Sequence, residues 1–514
     1  MAPSQHDDDQ TVVLDWLSQP SSYPGAPEVT RIDTHSASVF LAGERACKLK
    51  RAVRYDYLDF STVARRRQAC EAEYRLNRRL APDLYLGVSA VTREADGTLA
   101  FDGGGAPVDW VVVMRRFPQE ALFDKLAARG ALDLAWMPGL ARAVARLHAS
   151  ATPRRDHGGA AGMRWVVDGN ARAFAAEAGA LDAEASAQVT HAGLAALARH
   201  AARLDRRREA GFVRECHGDL HLRNVVLLDG TPVLFDGIEF NDELSSIDVA
   251  YDLAFLVMDL IHRGLPVHAN VVFSHYLAAT GDLDALPLIP FFLSCRAAIR
   301  AKTSATAARL QREAGGRDDL ERLASGYLQM ALRLLTPAPP VLVAIGGLSG
   351  SGKSTQATRL APSLGVPPGA LVLRSDVLRK VLHGVDVEAR LGADAYGAAA
   401  NARVYGALCT QAMTALGHGS AVVGDAVWAR PEDRAAVADV ARRAGVPFVG
   451  LWLEAPGEAL AARIAARRGD ASDATRAVLE QQLAEGTGPV DWIRVDASGT
   501  PDETEARVLR GLAP

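Results

Sequence analysis

Three polar residues stand between apolar runs in the segment 215–240, which reads ECHGDLHLRNVVLLDGTPVLFDGIEF. Asp219 could orient an attacking hydroxyl group and take its proton, while Asn224 and Asp236 could supply oxygen ligands to Mg²⁺. Phosphoryl transfer to an alcohol requires these groups, because a cation must neutralise the charge of the phosphates. Alternatively, Asp219 and Asn224 could do no more than cap turns.

The apolar runs around these residues must position them. The runs VVLL and TPVLF, joined by the dipeptide DG, are typical of a β-hairpin with a tight turn. Such a hairpin would carry Asn224 and Asp236 to the same end of its two strands. We therefore predict that the three polar groups surround one metal ion.

A second pattern that could hold phosphates is GLSGSGKS at 347–354. It follows the strand-like run VLVAIG and precedes the helical pattern TQATRLAPSL, so its backbone N–H groups can meet phosphate oxygens at a helix N-terminus. Lys353 would reach the β- and γ-phosphates, and Ser354 would bind Mg²⁺. The predicted nucleotide-binding residues are Gly347, Ser349, Gly350, Ser351, Gly352, Lys353, Ser354 and Thr355.

Two carboxylates end the strands predicted after this loop. Asp376 follows ALVLR in the pattern LRSDVLRK. It would lie beside the loop at the carboxyl edge of a parallel sheet, where α/β proteins bind ligands, or it could cap the following helix. Asp425 ends SAVVGDAVW and is placed like a metal-binding carboxylate. Because only one acid stands there, the pattern favours transfer to a bound acceptor over transfer to water.

The length and composition of the chain bound its organisation. Its 514 residues exceed what one hydrophobic core normally serves, which predicts two or three domains. With 49% hydrophobic residues, 23% charged residues and a net charge of −4, it offers no global reason to bind nucleic acid or a membrane. The five cysteines are scattered without a CxxC pattern, and the N-terminal MAPSQHDDDQ lacks a signal-peptide pattern, so we expect a cytoplasmic protein.

The first 335 residues are predicted to form a polar segment followed by an α+β domain. Residues 1–30 are rich in Pro and Ser, and we expect their start to be loosely ordered. The domain at 31–335 divides into a small lobe at about 31–117 and a helical large lobe at about 118–335. The elements predicted in the small lobe are strands at 38–43, 45–50 and 109–117 and a helix at 61–80 with Ser61 as its cap.

A proline-rich stretch, TPAPP at 336–340, predicts a stiff linker, because consecutive prolines stop a helix and hold the chain extended. After it, at 341–514, strand-like runs such as VLVAI, ALVLR and FVGLWLE alternate with helical stretches. This alternation is typical of an α/β P-loop domain with a mainly parallel sheet.

The motifs HGDLHLRN and FDGIEF resemble the HxDxxxxN and DFG-like motifs of the aminoglycoside phosphotransferase family, which has a protein-kinase-like fold. The resemblance covers most of 30–335. It implies that Lys48 grips the α- and β-phosphates, with Lys50 on the same face of the strand as the runner-up. It also implies that Glu73 is the ion-pair partner of this lysine.

The same resemblance suggests further positions. Backbone groups near Met114 to Arg116 in VVVMRRF would contact adenine, and Asp252 would be a buried structural aspartate. No GxGxxG precedes the strand lysine, so a polar loop must cover the phosphates. Glu239 is a nearby candidate for binding substrate, although acidic loop residues are more often only solvated.

The pattern SDxxR, which contains Asp376 and Arg379, resembles small P-loop kinases: polynucleotide kinase, zeta-toxin-like kinases and chloramphenicol phosphotransferase. The resemblance implies that Asp376 activates the acceptor hydroxyl and that Arg379 binds substrate. The stretch ARIAARRGDASDAT at 461–475 resembles the mobile lid of such kinases, in which Arg467 or Arg468 could close over the transferring phosphoryl group. Either arginine could instead belong to a solvated basic helix end.

The tandem arrangement resembles bacterial fusions of an aminoglycoside-phosphotransferase-like domain with an AAA_33-type P-loop kinase. It implies a bifunctional enzyme that uses ATP and Mg²⁺ to phosphorylate small-molecule hydroxyl groups, as on sugars, amino sugars, aminoglycosides or nucleosides. One alternative is a single active kinase domain with the other domain as a nucleotide-sensing regulator. Another is a zeta-toxin-like or polynucleotide-kinase-like activity, which the lack of an obvious basic, aromatic-rich surface disfavours. The sequence indicates neither the acceptor nor the oligomeric state.

Overall fold

The computed structural model describes residues 9–55, 58–177, 179–311, 313–466 and 471–512. Packing divides the chain into two compact units. The first unit comprises Met1–Arg164 and Ala201–Leu256, and the second comprises Trp165–His200 and Val257–Pro514. The domain boundaries that the sequence predicts, with a linker at 336–340, stay a prediction. Among the described residues, every helix is too short or too polar to cross a membrane.

An antiparallel sheet opens the first unit. Its order is β1-β2-β3-β8-β6-β7, and β4 pairs with β5 apart from it. The predicted strands at 38–43, 45–50 and 109–117 are confirmed as β2, β3 and β8. The strands are β1 (Val29–Asp33), β2 (Ala37–Ala42), β3 (Arg45–Lys50), β4 (Arg54–Tyr55), β5 (Leu58–Asp59), β6 (Tyr85–Arg93), β7 (Leu99–Phe101) and β8 (Ala106–Arg115).

Two helices accompany this sheet, α1 (Thr11–Leu17) and α2 (Val63–Arg78). No element was predicted before residue 38, yet α1 forms because Val13 and Leu17, four residues apart, are buried in the core of the sheet. The helix predicted at 61–80 is confirmed as α2, but its predicted cap is wrong, since Thr62 and not Ser61 is the N-cap residue. The start of the polar 1–30 segment, residues 1–8, lies outside the described residues.

The chain then becomes mainly helical and contains the predicted hairpin. Its helices are α3 (Phe123–Ala128), α4 (Met137–Ser150), α5 (Gly159–Ala176), α6 (Ala183–Glu209), α7 (Asp242–Ser245) and α8 (Val249–His262), and its strands are β9 (Val213–Glu215), β10 (Val225–Leu228), β11 (Thr231–Leu234) and β12 (Ser246–Asp248). Strands β10 and β11 pair antiparallel from Val225 opposite Leu234. Asp229 and Gly230 join them with φ of 49° and 76°, as a tight hairpin turn requires. The hairpin prediction is confirmed.

A parallel sheet dominates the second unit. Its strand order is β14-β15-β13-β16-β17, and each neighbouring pair is parallel, which confirms the predicted fold. Its core is apolar; every residue of β13 is buried. The strands are β13 (Leu342–Gly346), β14 (Leu371–Arg374), β15 (Val422–Asp425), β16 (Phe448–Glu454) and β17 (Ile493–Asp496).

Helices precede this sheet and connect its strands. Those that precede it are α9 (Pro266–Thr280), α10 (Ile289–Leu310) and α11 (Ala314–Leu334). Those that follow β13 are α12 (Lys353–Leu360), α13 (Ser375–Leu382), α14 (Ala398–Gly417), α15 (Pro431–Ala444), α16 (Gly457–Ala466), α17 (Arg476–Glu485) and α18 (Pro501–Leu512). Because parallel strands start at one edge and end at the other, the residues after β13, β14 and β15 meet at one edge.

Candidate active sites

Lys48 lies within an ion-pair cluster of the first unit. Its Nζ atom lies 2.9 Å from Oε1 of Glu73 on α2 and 2.5 Å from Oδ1 of Asp236. Burial alone would lower the pKa of Lys48, but the charges of Asp236 and Glu73 outweigh burial and raise that pKa. The lysine is therefore held as a cation between α2 and the residue that follows the hairpin.

Lys50 shares the same glutamate. Its Nζ atom lies 2.5 Å from Oε2 of Glu73, and it also pairs with Glu239. Burial opposes ionisation of Glu73, but Lys48 and Lys50 outweigh it and lower the pKa of Glu73 to about 2. Both candidates for the phosphate-binding lysine thus contact Glu73, the predicted ion-pair partner.

Glu239, the predicted substrate ligand of the first unit, is buried in this cluster with a side chain only 4% exposed. Burial raises the pKa of Glu239, although its partner Lys50 acts in the opposite direction. Contact between Glu239 and a substrate would therefore require the pair with Lys50 to open.

Asp219 and Asn224 lie side by side at the base of the hairpin. The Nδ2 atom of Asn224 donates to Oδ2 of Asp219 at 3.1 Å and to the Asp219 carbonyl oxygen at 2.9 Å. The Phe235 N–H donates to the carbonyl of Asn224 at 3.1 Å, which brings the residue before Asp236 against Asn224. The three predicted residues therefore meet at one end of the hairpin, where the Asp219 and Asp236 side chains are 38% and 41% exposed.

The backbone of Asp236 is in the left-handed region, with φ of 62°. Its N–H donates to the hydroxyl of Tyr85 at 3.1 Å, and the N–H of Gly237 donates to Oδ1 of Asn77 on α2 at 2.7 Å. A conformation of this kind persists only where neighbouring contacts impose it. The turn therefore fixes Asp236 relative to α2 and to Lys48.

A buried carboxylate supports the segment that carries Asp219. Asp252 is fully buried and accepts the N–H groups of His217 at 3.1 Å and Gly218 at 2.9 Å. The ring of His148 lies 3.1 Å from the same carboxylate. The buried placement predicted for Asp252 is confirmed, and it fixes the backbone directly before Asp219.

The segment predicted to contact adenine lies at the end of β8. Met114 is buried in the core, and the N–H groups of Arg115 and Arg116 donate to the carbonyls of Leu84 and Glu44, both at 2.8 Å. A base could use these two N–H groups only if those bonds broke. Contact between adenine and the region from Met114 to Arg116 stays a prediction.

The glycine-rich loop of the second unit connects β13 to α12. A Cβ atom at Gly347 or Gly350 would lie 2.5 Å from a backbone carbonyl oxygen, that of Leu453 or Leu460, so neither position has room for a side chain. Their φ angles of 138° and 85° also favour glycine. Nζ of Lys353 donates to the carbonyl of Leu348 at 3.0 Å, so the lysine folds back over its own loop.

This loop lines a cavity of about 700 Å³. Its residues from Ser349 to Thr355 line the cavity together with Asp376, Arg379 and Asp425. The volume lies in the range of small-molecule sites. The structure thus brings together the predicted loop, both predicted carboxylates and the predicted substrate arginine.

Arg374, which the sequence analysis did not single out, links two predicted metal ligands. Its Nη2 atom donates to Oγ of Ser354 at 3.1 Å, and its Nε atom donates to Oδ2 of Asp425 at 3.2 Å. Asp425 is only 4% exposed, so a cation is needed beside its charge. The hydroxyl and the carboxylate are therefore already arranged around a positive group.

Asp376 lies in the first turn of α13, one residue after the helix begins. Arg374 occupies the N-cap position of α13, so the suggestion that Asp376 caps this helix is wrong. Burial raises the pKa of Asp376 and repulsion by Asp425 adds to the rise, whereas Arg374, a hydrogen bond from Ser472 and Lys353 oppose it. A carboxyl with a raised pKa binds a proton more readily, as a general base requires.

Arg379 is buried at one wall of the cavity, with 4% of its surface exposed. Nη1 donates to the carbonyl of Ala395 at 2.6 Å, Nη2 donates to Oδ1 of Asn401 at 2.8 Å, and the guanidinium lies 4.7 Å from the ring centre of Tyr396. Its Nε atom is buried and lacks a hydrogen-bond partner among the described residues. The partners that the structure gives this cation are therefore all uncharged.

A segment at 471–485 closes around the same cavity. Asp473 accepts from Nζ of Lys380 at 2.6 Å and from the hydroxyl of Tyr396 at 2.5 Å. Oε1 of Gln482 on α17 accepts the N–H of Ser349 in the glycine-rich loop at 3.0 Å. Arg467 and Arg468, predicted to close over the phosphoryl group, lie outside the described residues.

The sequence analysis missed several residues that line this cavity or lie beside it. Arg374 stands directly before the SDxxR pattern, so its position at the end of a strand could have marked it. Asn401 and Gln482 stand on helices whose sequences carry no motif, and only the fold brings them to the site. The missed residues that contact predicted ones are Arg374, Tyr396, Asn401, Ser472 and Gln482.

Two segments of the chain, one around each site, match family models. A phosphotransferase enzyme family model matches residues 53–287, and an AAA domain model matches residues 342–489. The chain is a kinase in which a protein-kinase-like phosphotransferase segment precedes a P-loop segment. An uncharacterised protein of Mycobacterium tuberculosis is 30% identical over 480 residues, covering 91% of this chain and 92% of its own length. The chain belongs to the same family as that protein.

Solved structures resemble each part separately. An APS kinase of Mycobacterium tuberculosis in complex with AMPPNP and APS is 24% identical, covers 34% of this chain and 99% of its own, and has a TM-score of 0.26. An amicoumacin kinase in complex with AMP-PNP, Ca²⁺ and Ami is 15% identical, covers 63% of this chain and 94% of its own, and has a TM-score of 0.39.

Proposed function

We propose that the chain is a bifunctional phosphotransferase with two ATP-dependent centres, each of which phosphorylates a hydroxyl group of a small molecule. The observation that carries the proposal is that each unit holds its own set of a lysine, a carboxylate base and oxygen ligands. Lys48, Asp219 and Asp236 belong to the first unit, and Lys353 and Asp376 to the second. Two separate sets favour two separate reactions.

In the first centre, Lys48 would bind phosphate oxygens, and Glu73 would hold it in place. Asp219 would take the proton of the acceptor hydroxyl, with its carboxylate oriented by the amide of Asn224. The amide oxygen of Asn224 and the carboxylate of Asp236 fit Mg²⁺, which prefers oxygen ligands and would neutralise phosphate charge when bound. The ion pair between Lys48 and Asp236 supports this arrangement, because it draws the phosphate-binding and metal-binding groups together.

In the second centre, the loop N–H groups and Lys353 would bind the phosphates, and Asp376 would take the acceptor proton. Ser354 and Asp425 fit Mg²⁺, which would supply charge neutralisation there when bound. The guanidinium of Arg374 between these two residues supports the assignment, because it shows that a positive group is stabilised beside them.

Arg379 supports an anionic acceptor in the second centre. A buried guanidinium is costly unless a negative charge accompanies it. Its partners among the described residues are a carbonyl, an amide and an aromatic ring, and its buried Nε lacks a hydrogen bond to any of them. A carboxylate or phosphate on the acceptor would supply the missing charge.

A metabolite screen with ATP radiolabelled at the γ-phosphate tests the proposal in the full chain. The panel would contain aminoglycosides, sugars, amino sugars and nucleosides, each class with and without a carboxylate or phosphate group. We expect Asp219→Asn to abolish labelling of one set of acceptors and Lys353→Ala to abolish labelling of another. Asp229→Asn, in the exposed turn of the hairpin, serves as the matched control and should leave both intact.

Other outcomes would contradict the proposal in distinguishable ways. If one variant removed all transfer while the other changed only the response to nucleotide, one domain would be a regulator. Labelling of oligonucleotide ends alone would indicate a nucleic-acid kinase. Transfer that survived in the double variant would show that neither site is catalytic.

A further inference from the structure

Strand β14 forms one edge of the parallel sheet, with β15 as its one strand neighbour. An edge strand presents unpaired backbone groups that need protection. Helix α9 supplies it: Nδ2 of Asn270 donates to the carbonyls of Pro368 at 3.1 Å and Ala370 at 2.9 Å. Oγ of Ser274 accepts the N–H of Val372 at 3.2 Å.

The spacing of the two elements makes this contact possible. Asn270 and Ser274 are four residues apart, so they lie about 6 Å apart along one face of α9. Ala370 and Val372 are two residues apart, which spans roughly 6.6 Å along a strand, and both point their backbone groups away from β15. The two side chains therefore replace a neighbouring strand at two successive outward positions.

Helix α9 is buried on more than one face. Asn270 is fully buried and Ser274 is 5% exposed, and residues on every side of the helix are buried with them. Besides β14, the helix packs against α12, which carries Lys353, and α13, which carries Asp376 and Arg379. A helix of this kind is part of a core and not a surface attachment.

A second contact joins the segment after α9 to the end of α14. The ring of His418, which follows α14, donates from Nδ1 to the carbonyl of Leu283 at 2.9 Å. Helix α14 carries Asn401, the partner of Arg379. Two segments, β14 directly before the cavity-lining Ser375 and α14 within the lining, are therefore attached to residues 270–283, which the phosphotransferase family model covers.

We propose that Asn270 and Ser274 are positioning residues of the second centre. They hold the edge strand β14, and β14 ends at Arg374, two residues before Asp376. Residues 266–280 would then belong functionally to the P-loop centre, although sequence comparison assigns them to the other family. This inference rests on the proposed function of Asp376.

Backbone amide exchange and steady-state kinetics of the full chain test the inference together. Ser274→Ala should speed exchange of the 370–376 segment about tenfold, the effect of one lost hydrogen bond, while β13 and β16 stay protected. Ser274→Thr keeps the hydroxyl and should restore protection. Asn270→Asp, which sets an acceptor against two carbonyls, should have a larger effect. Ser294→Ala is the matched control, because Ser294 is also buried but donates to Ala331 on α11.

The kinetic readout is slow hydrolysis of ATP in a chain that also carries Asp219→Asn, which silences the first centre. We expect Ser274→Ala to lower kcat about tenfold and to leave KM for ATP unchanged, because the glycine-rich loop is intact. Faster exchange with an unchanged kcat would overturn the positioning role, and unchanged exchange would overturn the whole inference. Failure of the proposed function would differ, since the parent chain would then turn over no ATP either alone or with the acceptors of the screen, while exchange would still report on β14. If the Asn270→Asp chain does not fold, comparison of Ser274→Ala with Ser274→Thr tests the inference.

Discussion

The carboxylate of Glu73 lies 2.9 Å from Nζ of Lys48, and its second oxygen lies 2.5 Å from Nζ of Lys50. One fully buried anion therefore bridges two largely buried cations, each of which has a second anionic partner, Asp236 or Glu239. Replacing Glu73 by Gln would leave two ammonium groups close together without their shared counter-ion.

We predict that Glu73→Gln lowers the free energy of unfolding of the first unit by about 3 kcal/mol, because it uncovers a buried charge. Urea unfolding followed by tryptophan fluorescence would measure the change. Glu71→Gln on the same helix is the control: its carboxylate forms an exposed i,i+4 pair with Arg67 and should contribute less than about 0.5 kcal/mol. Equal effects of the two substitutions would contradict the cluster as a source of stability.

The contribution of Glu73 should also depend on pH. Its folded pKa of about 2 lies below the ordinary value of about 4.3, so its stabilisation is fully present above pH 5. It should be lost as pH falls toward 2. The difference in unfolding free energy between the parent and Glu73→Gln, measured from pH 7 to pH 3, should therefore shrink on acidification. A difference that grew would contradict this assignment.

The contribution of Asp376 to stability should depend on pH in the opposite direction to that of Glu73. Its folded pKa is raised by burial, so its ionised form destabilises the second unit, and stability is lost as pH rises from about 4 through that pKa. We predict that Asp376→Asn stabilises the unit by about 1 kcal/mol at pH 7 and abolishes transfer by the second centre. Thermal unfolding and the labelling assay would measure the two effects.

Asp439→Asn is the control for this prediction. Asp439 lies on α15, is 40% exposed and pairs with Arg442, so its replacement should change stability by less than about 0.5 kcal/mol. A destabilised but active Asp376→Asn chain would remove the case for a buried base.

The hydrogen bond from Ser349 to Gln482 should support the shape of the glycine-rich loop. Gln482→Ala removes an acceptor of a loop N–H, and we predict that the affinity for Mg·ADP falls about fivefold, which corresponds to about 1 kcal/mol. Calorimetric titration of the full chain carrying Lys48→Ala would measure the second centre alone. Glu480→Gln on the same helix loses only an exposed pair with Arg476 and should bind normally. Tighter binding by Gln482→Ala would instead mean that Gln482 competes with the phosphates.

Lys380 and Asp473 should behave as a coupled pair. Lys380 is fully buried, and its Nζ atom lies 2.6 Å from Oδ2 of Asp473. Asp473→Asn should destabilise the second unit by about 3 kcal/mol, because it leaves that ammonium group without its counter-ion. Adding Lys380→Met should recover most of this loss, and a double-mutant cycle from thermal unfolding would measure the coupling. Additive effects would show that the pair does not hold the 471–485 segment.

Local sequence patterns predicted the parts of the fold that local chemistry determines. The hairpin after Asn224 followed from the DG turn. The glycine-rich loop followed from the pattern GLSGSGKS, whose Gly347 and Gly350 have no room for a side chain. The alternation of β3 placed Lys48 and Lys50 on one face, which is why both reach Glu73. Cap positions were predicted less accurately: Thr62 and Arg374 hold the places given to Ser61 and Asp376, because a shift of one or two residues leaves the pattern almost unchanged.

Contacts between distant segments could not be read in this way. Gln482 is 133 residues from Ser349, and Asn270 is 100 residues from Ala370. Glutamine and asparagine on helices are usually solvated, so their type alone indicates nothing about a partner. Only the packing of α17 and α9 selects these two side chains from many similar ones.

The cover that α9 provides for β14 has a consequence for the history of this protein. A gene shortened to residues 341–514 would encode a sheet with a bare border, which invites pairing between copies and aggregation. A P-loop domain without such a helix would need another way to shield this border, such as a lysine, a proline or a shorter strand. Fission of this tandem gene would succeed only after such a replacement had arisen.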